Sequence, residues 1–135
     1  MSAASALQRA IFQRLSSDVA LTALVEANGI TDRRLSQPVS PLVVIAGIDS
    51  TDHSTGSEPG EEHTVTLEAW AEAAGHRTVQ AVAAAARAAL HDAALTLDGH
   101  HLVFLLHRDT RMRRDGKSRF HRADMRFRAV TEPDA

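Results

Sequence analysis

Apolar residues recur at helical spacing in the first stretch of the chain. Ala4, Leu7, Ile11 and Leu15 fall on one side of a helix whose other positions hold Gln8, Arg9, Gln13 and Arg14, which predicts an amphipathic helix over 3–16. Ser17 and Asp18 can cap a short second helix carrying Val19, Leu21, Leu24 and Val25, with Asn28-Gly29 supplying the positive φ that ends it. Residues 30–41 are poorly patterned and hold two prolines, so they read as loop with at most a short edge strand.

The period then changes from helical to two. Leu42-Val43-Val44-Ile45 is an uninterrupted apolar run, as expected of a strand buried on both faces. Over 63–71, Val65, Leu67 and Ala69 alternate with Thr64, Thr66 and Glu68, a half-buried strand. The segment between them, 49–62, is rich in Ser, Thr, Gly and acid and lacks Lys and Arg, so it reads as a long projecting loop. Over 76–94 the helical period returns, with Val79, Val82, Ala86, Leu90 and Ala93 on one stripe of an alanine-rich helix.

The last third reads as one long hairpin, with strands over 102–114 and 117–130 about an Asp115-Gly116 turn. A two-residue turn sets Leu102 opposite Ala129, Phe104 opposite Phe127 and Leu106 opposite Met125 on an apolar face. It pairs His107 with Asp124 and Asp109 with Arg122 on the other. A four-residue turn, 115–118, keeps the same faces. Both arms are about twice the usual strand length of about 5–6 residues, and apolar alternation stops towards the tip. There the side chains become Arg108, Arg111, Arg113, Arg114, Lys117, Arg119 and Arg122. A strand that continues after it stops burying side chains is expected to reach for a partner; the competing reading is a solvated, mobile hairpin.

The element order therefore predicts an α+β domain spanning 1–135, with an antiparallel sheet of about four strands, helices on one face and a long C-terminal β-hairpin. Composition adds exclusions. The net charge is −2, so the basic character is local rather than global. There is no cysteine, which removes disulfides, thiolate metal sites and cysteine nucleophiles. No stretch has the form of a signal peptide or reaches the roughly 20 apolar residues of a membrane span, so the expectation is a soluble protein made in the cytoplasm.

Catalytic signatures are missing: no Gly-rich phosphate loop, no His-Glu-x-x-His, no nucleophile elbow. Among the eight histidines, His53 and His63 flank the acidic segment with Asp49, Asp52, Glu61 and Glu62 and could gather an ion, but the spacing fits no local ligand pattern and a hydrated acidic loop explains it equally well. His100 and His101 are adjacent and would point to opposite faces of a strand. The arginine stripe has a nucleic-acid reading, weakened by one Trp, four Phe and no Tyr for stacking. A basic projection (Arg108, Arg111, Arg113, Arg114, Arg119, Arg122) and an acidic one (Asp49, Asp52, Glu58, Glu61, Glu62) on one molecule suit head-to-tail contact with copies of itself.

Several segments are similar to one known family. These are Leu7-Gln8-Arg9-Ala10-Ile11 followed by Asp18-Val19-Ala20-Leu21-Thr22-Ala23-Leu24-Val25, Pro41-Leu42-Val43-Val44-Ile45 before a Ser/Thr segment, and Glu62-His63-Thr64-Val65-Thr66-Leu67-Glu68-Ala69-Trp70. Ala88-Ala89-Leu90-His91-Asp92 and a closing Arg126-Phe127-Arg128-Ala129-Val130-Thr131-Glu132 complete the set. Their order and length resemble the tail-completion family of long-tailed bacteriophages and gene transfer agents, whose members act as tail terminators at the head–tail junction. The resemblance implies a homo-hexameric ring that caps the tail tube protein and meets a head-connector or stopper protein. It further implies DNA only as cargo through the channel, assembly in the bacterial cytoplasm, and neither cofactor nor catalysis.

Overall fold

The computed structural model describes residues 1–25, 29–32, 41–72, 76–114 and 120–134. Its elements run α1 (Ala3–Ser17), α2 (Val19–Thr22), β1 (Ile30–Thr31), β2 (Leu42–Asp52), β3 (Glu61–Ala71), α3 (His76–Leu90), β4 (His100–Arg114) and β5 (His121–Pro133). The strands form one sheet of five in the order β1-β2-β3-β5-β4. Four strands are each antiparallel to their neighbours, as expected; the fifth, β1, is a two-residue edge piece lying parallel to β2, so the sheet is mixed.

The helices form where capping and periodicity coincide. Ser2 accepts a hydrogen bond from the Ser5 amide at the start of α1, and Asp18 accepts one from Leu21 at the start of α2. Leu7, Ile11 and Leu15 of α1 and Val79, Val82, Ala86 and Leu90 of α3 are buried, while Ala4 and Ala93 are not fully covered. In α2 only Leu21 is buried, and Val19 is left exposed at the first helical position. Where the alanine run predicts a helix to 94, α3 stops at Leu90. Asp92 takes a left-handed backbone (φ 58°) and its amide donates to the Leu105 carbonyl, 2.7 Å away, turning the chain onto the sheet edge.

One face of the sheet carries Val43, Ile45, Val65, Leu67, Ala69, Ala123, Met125, Phe127 and Ala129, which pack with the helix stripes into a single core. Leu42-Val43-Val44-Ile45 is buried on both faces, as its pattern predicts, because Leu42 and Val44 pack with Trp70 and Phe120 on the side away from the helices. The expected 49–62 loop is a correction. Asp49 to Asp52 belong to β2 and Glu61 and Glu62 to β3, so the two strands extend as a hairpin whose connection is only 53–60, closed by His53 N donating to Gly60 O at 2.9 Å. The residues are polar because both faces of this arm leave the core, not because the backbone is irregular.

The C-terminal hairpin is present with a different register. Leu102 pairs with Thr131, Phe104 with Val130, Asp109 with Arg126 and Arg114 with His121. The predicted Asp115-Gly116 turn lies outside the described residues. Fifteen residues of β4 meet thirteen of β5, and register shifts at Val103 and Arg108 absorb the two extra residues. Each bulge reverses the faces beyond it. Leu105 therefore points into the core in place of Phe104 and Leu106, and Val103 is left 44% exposed.

Leu90 has no exposed surface and sits where α3 meets the sheet. Leu90→Asp is expected to lower unfolding free energy by about 3–5 kcal/mol, through lost apolar contact and a buried unpaired charge. Arg87→Ala, one turn back on the exposed side, should change it by less than about 0.5 kcal/mol. Urea unfolding of the two variants measures both; an unchanged midpoint for Leu90→Asp would overturn the assignment of this helix face.

Candidate functional interface

Strand direction separates the two charged projections. β2 runs towards the 53–60 connection, and β4 runs the opposite way to Arg114. Asp49, Asp52, Glu58, Glu61 and Glu62 therefore gather at one end of the sheet. Arg111, Arg113, Arg114 and Arg122 gather at the other, about 33 Å away along the eleven residues of β3. Arg108 lies between them on the β4 edge, and Arg119 lies outside the described residues.

The side away from the helices carries a ladder of ion pairs. Arg128 donates to Glu62 from the adjacent strand at 2.6 Å, and Arg126 donates to Asp109 at 3.0 Å. Asp124 lies between Arg122 (2.8 Å) and Arg113 (3.0 Å). The Arg122 contact is a charge pairing whose Nε is not aligned as a hydrogen bond. Arg122 also lies over the Trp70 ring at 5.2 Å and Arg128 over the Phe104 ring at 5.1 Å, within cation–π range. The Trp70 indole N–H donates to Glu68 at 3.1 Å, and its ring meets Phe120 edge-on. Arg128 holds the Glu62 carboxyl below its ordinary range, and Arg126 does the same for Asp109.

Two sequence expectations are thereby corrected. His107 does not pair with Asp124; its ring meets Phe127 edge-on on the core side, and burial lowers its pKa. Asp109 pairs with Arg126 rather than Arg122. The expected interface arginines also divide. Arg113 and Arg122 are engaged by Asp124 within the chain. Arg108, Arg111 and Arg114 are exposed and make no ion pair among the described residues. Asp49, Asp52 and Glu58 are likewise exposed and free of ion pairs, whereas Glu62 is held by Arg128.

His63, weighed from sequence as part of an ion site, is fully buried on the helix side of β3. Its Nδ1 lies 2.7 Å from Ser50 Oγ and its Nε2 2.8 Å from Thr131 Oγ1, so one imidazole ties β2, β3 and β5 together. A serine beside an imidazole suggests nucleophilic catalysis, but such a site needs an orienting group on the far ring nitrogen and a place for the reacting carbonyl. Here a threonine hydroxyl takes the far nitrogen, and the ring is packed into the sheet. No group of three or more His, Asp or Glu side chains that could hold a metal forms among the described residues.

With this geometry in place, comparison with known proteins is decisive. The model of the family described as tail completion protein gp17 matches residues 9–132. The chain belongs to that family. A solved structure described as "Virion of native gene transfer agent (GTA) particle" contains a chain 34% identical to this one, covering 98% of this chain and 99% of that one, with a TM-score of 0.87. No curated protein matches the sequence. For this tail completion protein, the paired and unpaired charges are therefore read as parts of a structural surface.

Burial pushes the His63 pKa down, with Glu61 opposing and His100 adding to the shift. The neutral ring is the folded form, so stability is fully present above the unfolded histidine value of about 6.5 and declines as pH falls from there towards the lowered folded value. Below that value the His63 contribution changes no further. Denaturant unfolding at pH 7.5 and 5.5 should show this decline, and His63→Gln should flatten it while losing about 1–2 kcal/mol at pH 7.5. An equal slope in wild type and variant would remove His63 as its source.

Proposed function

We propose that this tail completion protein forms a homo-hexameric ring in a virion or virion-like particle, terminating the tail tube and joining it to the head connector. The supporting observation is that nearly its full length matches a chain of a gene transfer agent particle, in both sequence and fold. The particle is built in the bacterial cytoplasm, DNA passes the ring as cargo, and the protein contributes contacts rather than chemistry. Opposite charge at the two ends of one rigid sheet fits a heterologous contact, in which one patch of each copy meets a different patch on the next. Such contacts close into a ring when their rotation divides a full turn.

The competing reading, a nucleic-acid binder using the basic hairpin, is disfavoured by how the arginines are used. Arg126 and Arg128 are each paired with a carboxylate of the same chain, and Arg113 and Arg122 share Asp124. A phosphate would have to displace those carboxylates before gaining the contact.

Native mass measurement of the assembled head–tail junction should return six copies; one copy or two would overturn the ring. Replacing Arg108, Arg111 and Arg114 together by Ser should leave the melting temperature within about 4 °C, since exposed unpaired charges contribute little to folding. Joining of heads to tails should be lost. Normal joining by the triple variant would show these arginines to be ordinary solvated residues.

A further inference from the structure

We propose that copies of this chain join by adding strands edge to edge, with residues 46–52 of β2 from one copy lying antiparallel to residues 108–114 of β4 from the next; the proposal rests on the ring reading. Both segments are open sheet edge among the described residues. β1 pairs only with Val43 and Val44, so β2 has no outer partner from Ala46 onward. On the opposite edge, the turn after α3 covers only the middle of β4, where Asp92 N donates to Leu105 O and His107 N donates to His91 Nδ1 at 3.0 Å. Beyond that point β4 continues to Arg114 without an outer neighbour. Unpaired edges of this kind accept a strand from another chain.

Side-chain chemistry selects one register. Asp49 and Arg111 lie on the face away from the helices, opposite Thr64 and Asp124 in their own sheet. Ile48 and Met112 lie on the helix face and are the partly buried apolar residues at the two edges. Setting Asp49 opposite Arg111 also sets Ile48 opposite Met112 and Asp52 opposite Arg108. Two unpaired acids then meet two unpaired arginines while the two incompletely covered apolar side chains meet each other. Sliding by two residues keeps the faces but sets Asp49 against Asp109 in one direction and Ile48 against Arg114 in the other. Both alternatives lose complementarity.

Direction and stagger agree with closure. Copies related by rotation about a ring axis keep the same strand sense, so β2 and the neighbouring β4, which run oppositely within one copy, meet antiparallel. Asp49 is level with Leu106 through Thr64 and Arg128, and Arg111 is level with Asp124, four residues along β5 from Arg128. The copies are therefore offset by about 13 Å across four strand spacings of about 4.8 Å, a tilt of about 35°, at the lower end of the range of closed barrels.

The hand of the tilt assigns the faces. β3 and β4 run in the same direction with β5 between them, and α3 connects them across one face. Such crossovers are right-handed in about 98% of cases. Seen from the helix side with the arginine end up, β4 is then on the right, and a neighbour added there is displaced upward. That is the rightward climb of right-twisted strands seen from outside a barrel. The helices face outward, and the ion-paired face of the sheet lines the channel.

The absence of native cysteine makes the test clean. Particles assembled with the double variant Asp49→Cys, Arg111→Cys and then oxidised should give a ladder of disulfide-linked species up to six chains. Asp49→Cys with Arg113→Cys, displaced by one diagonal, should give at least tenfold less, because diagonal side chains are too far apart to bridge. Asp49→Arg and Arg111→Asp should each reduce joined particles at least tenfold, and the two together should restore them to within threefold. Six copies per junction with neither ladder nor restoration would overturn the edge pairing and leave the ring standing. A junction holding one copy would overturn both.

Discussion

β3 and β5 pair through eleven consecutive residues without a bulge, and this ladder fixes which side chains of the sheet meet the helices and which do not. Because strand side chains alternate strictly, one unbroken register sets His63, Val65, Leu67, Ala69 and Ala71 beside Ala123, Met125, Phe127, Ala129 and Thr131 on the helix side. The same alternation sends Glu62, Glu68, Arg122, Asp124, Arg126 and Arg128 to the opposite side. A slip of β5 by one residue would turn its four charges, Arg122, Asp124, Arg126 and Arg128, towards the helices and expose its apolar set. The outer strands lack this regularity: β2 carries one register shift and β4 two, so the variable geometry is pushed to the sheet edges, where the proposed contacts between copies lie.

The charges away from the helices have two different roles. Those on the central strands are matched within the chain, and Arg122 and Arg128 also lie over aromatic rings, so they stiffen the sheet and offer little to an incoming anion. Those on the edge strands, Asp49 and Arg111, have no such partner among the described residues. Paired charges are a poor guide to partners, because breaking them costs what a new contact would gain. Unpaired ones gain in full when a partner arrives.

Helices, the succession of elements along the chain and most core residues were legible from sequence because the 3.6- and two-residue periods are strong over 3–17, 63–71 and 76–90. The hairpin was legible too, but not its faces. Leu102 to Leu106 is apolar at every position, so alternation cannot say which parity is buried, and the bulge at Val103 selects Leu105. The acidic segment was misread for a related reason: a strand pair that projects beyond its core loses the apolar face by which strands are recognised, and Ser-Thr-Asp composition resembles a loop. The charged residues were found, yet their division into paired and unpaired was not. That division depends on cross-strand register, which two bulges had altered.

Open edges are usually a hazard, and this sheet limits them without removing them. β1 covers the start of the β2 edge, the turn at His91 and Asp92 covers the middle of the β4 edge, and bulges at Ala46 and Arg108 distort the pairing where each open segment begins. What remains open is short and polar, and the two open segments carry opposite charge. Two β2 edges would set acid against acid, and two β4 edges arginine against arginine, so the isologous dimers that open edges otherwise invite are disfavoured. Only unlike edges match, and they match with an offset along the strands. Strand twist coils a sheet extended in this way, and the offset sets the tilt of its strands to the coil axis. Where the rotation per copy divides a full turn, the last copy meets the free edge of the first and growth stops.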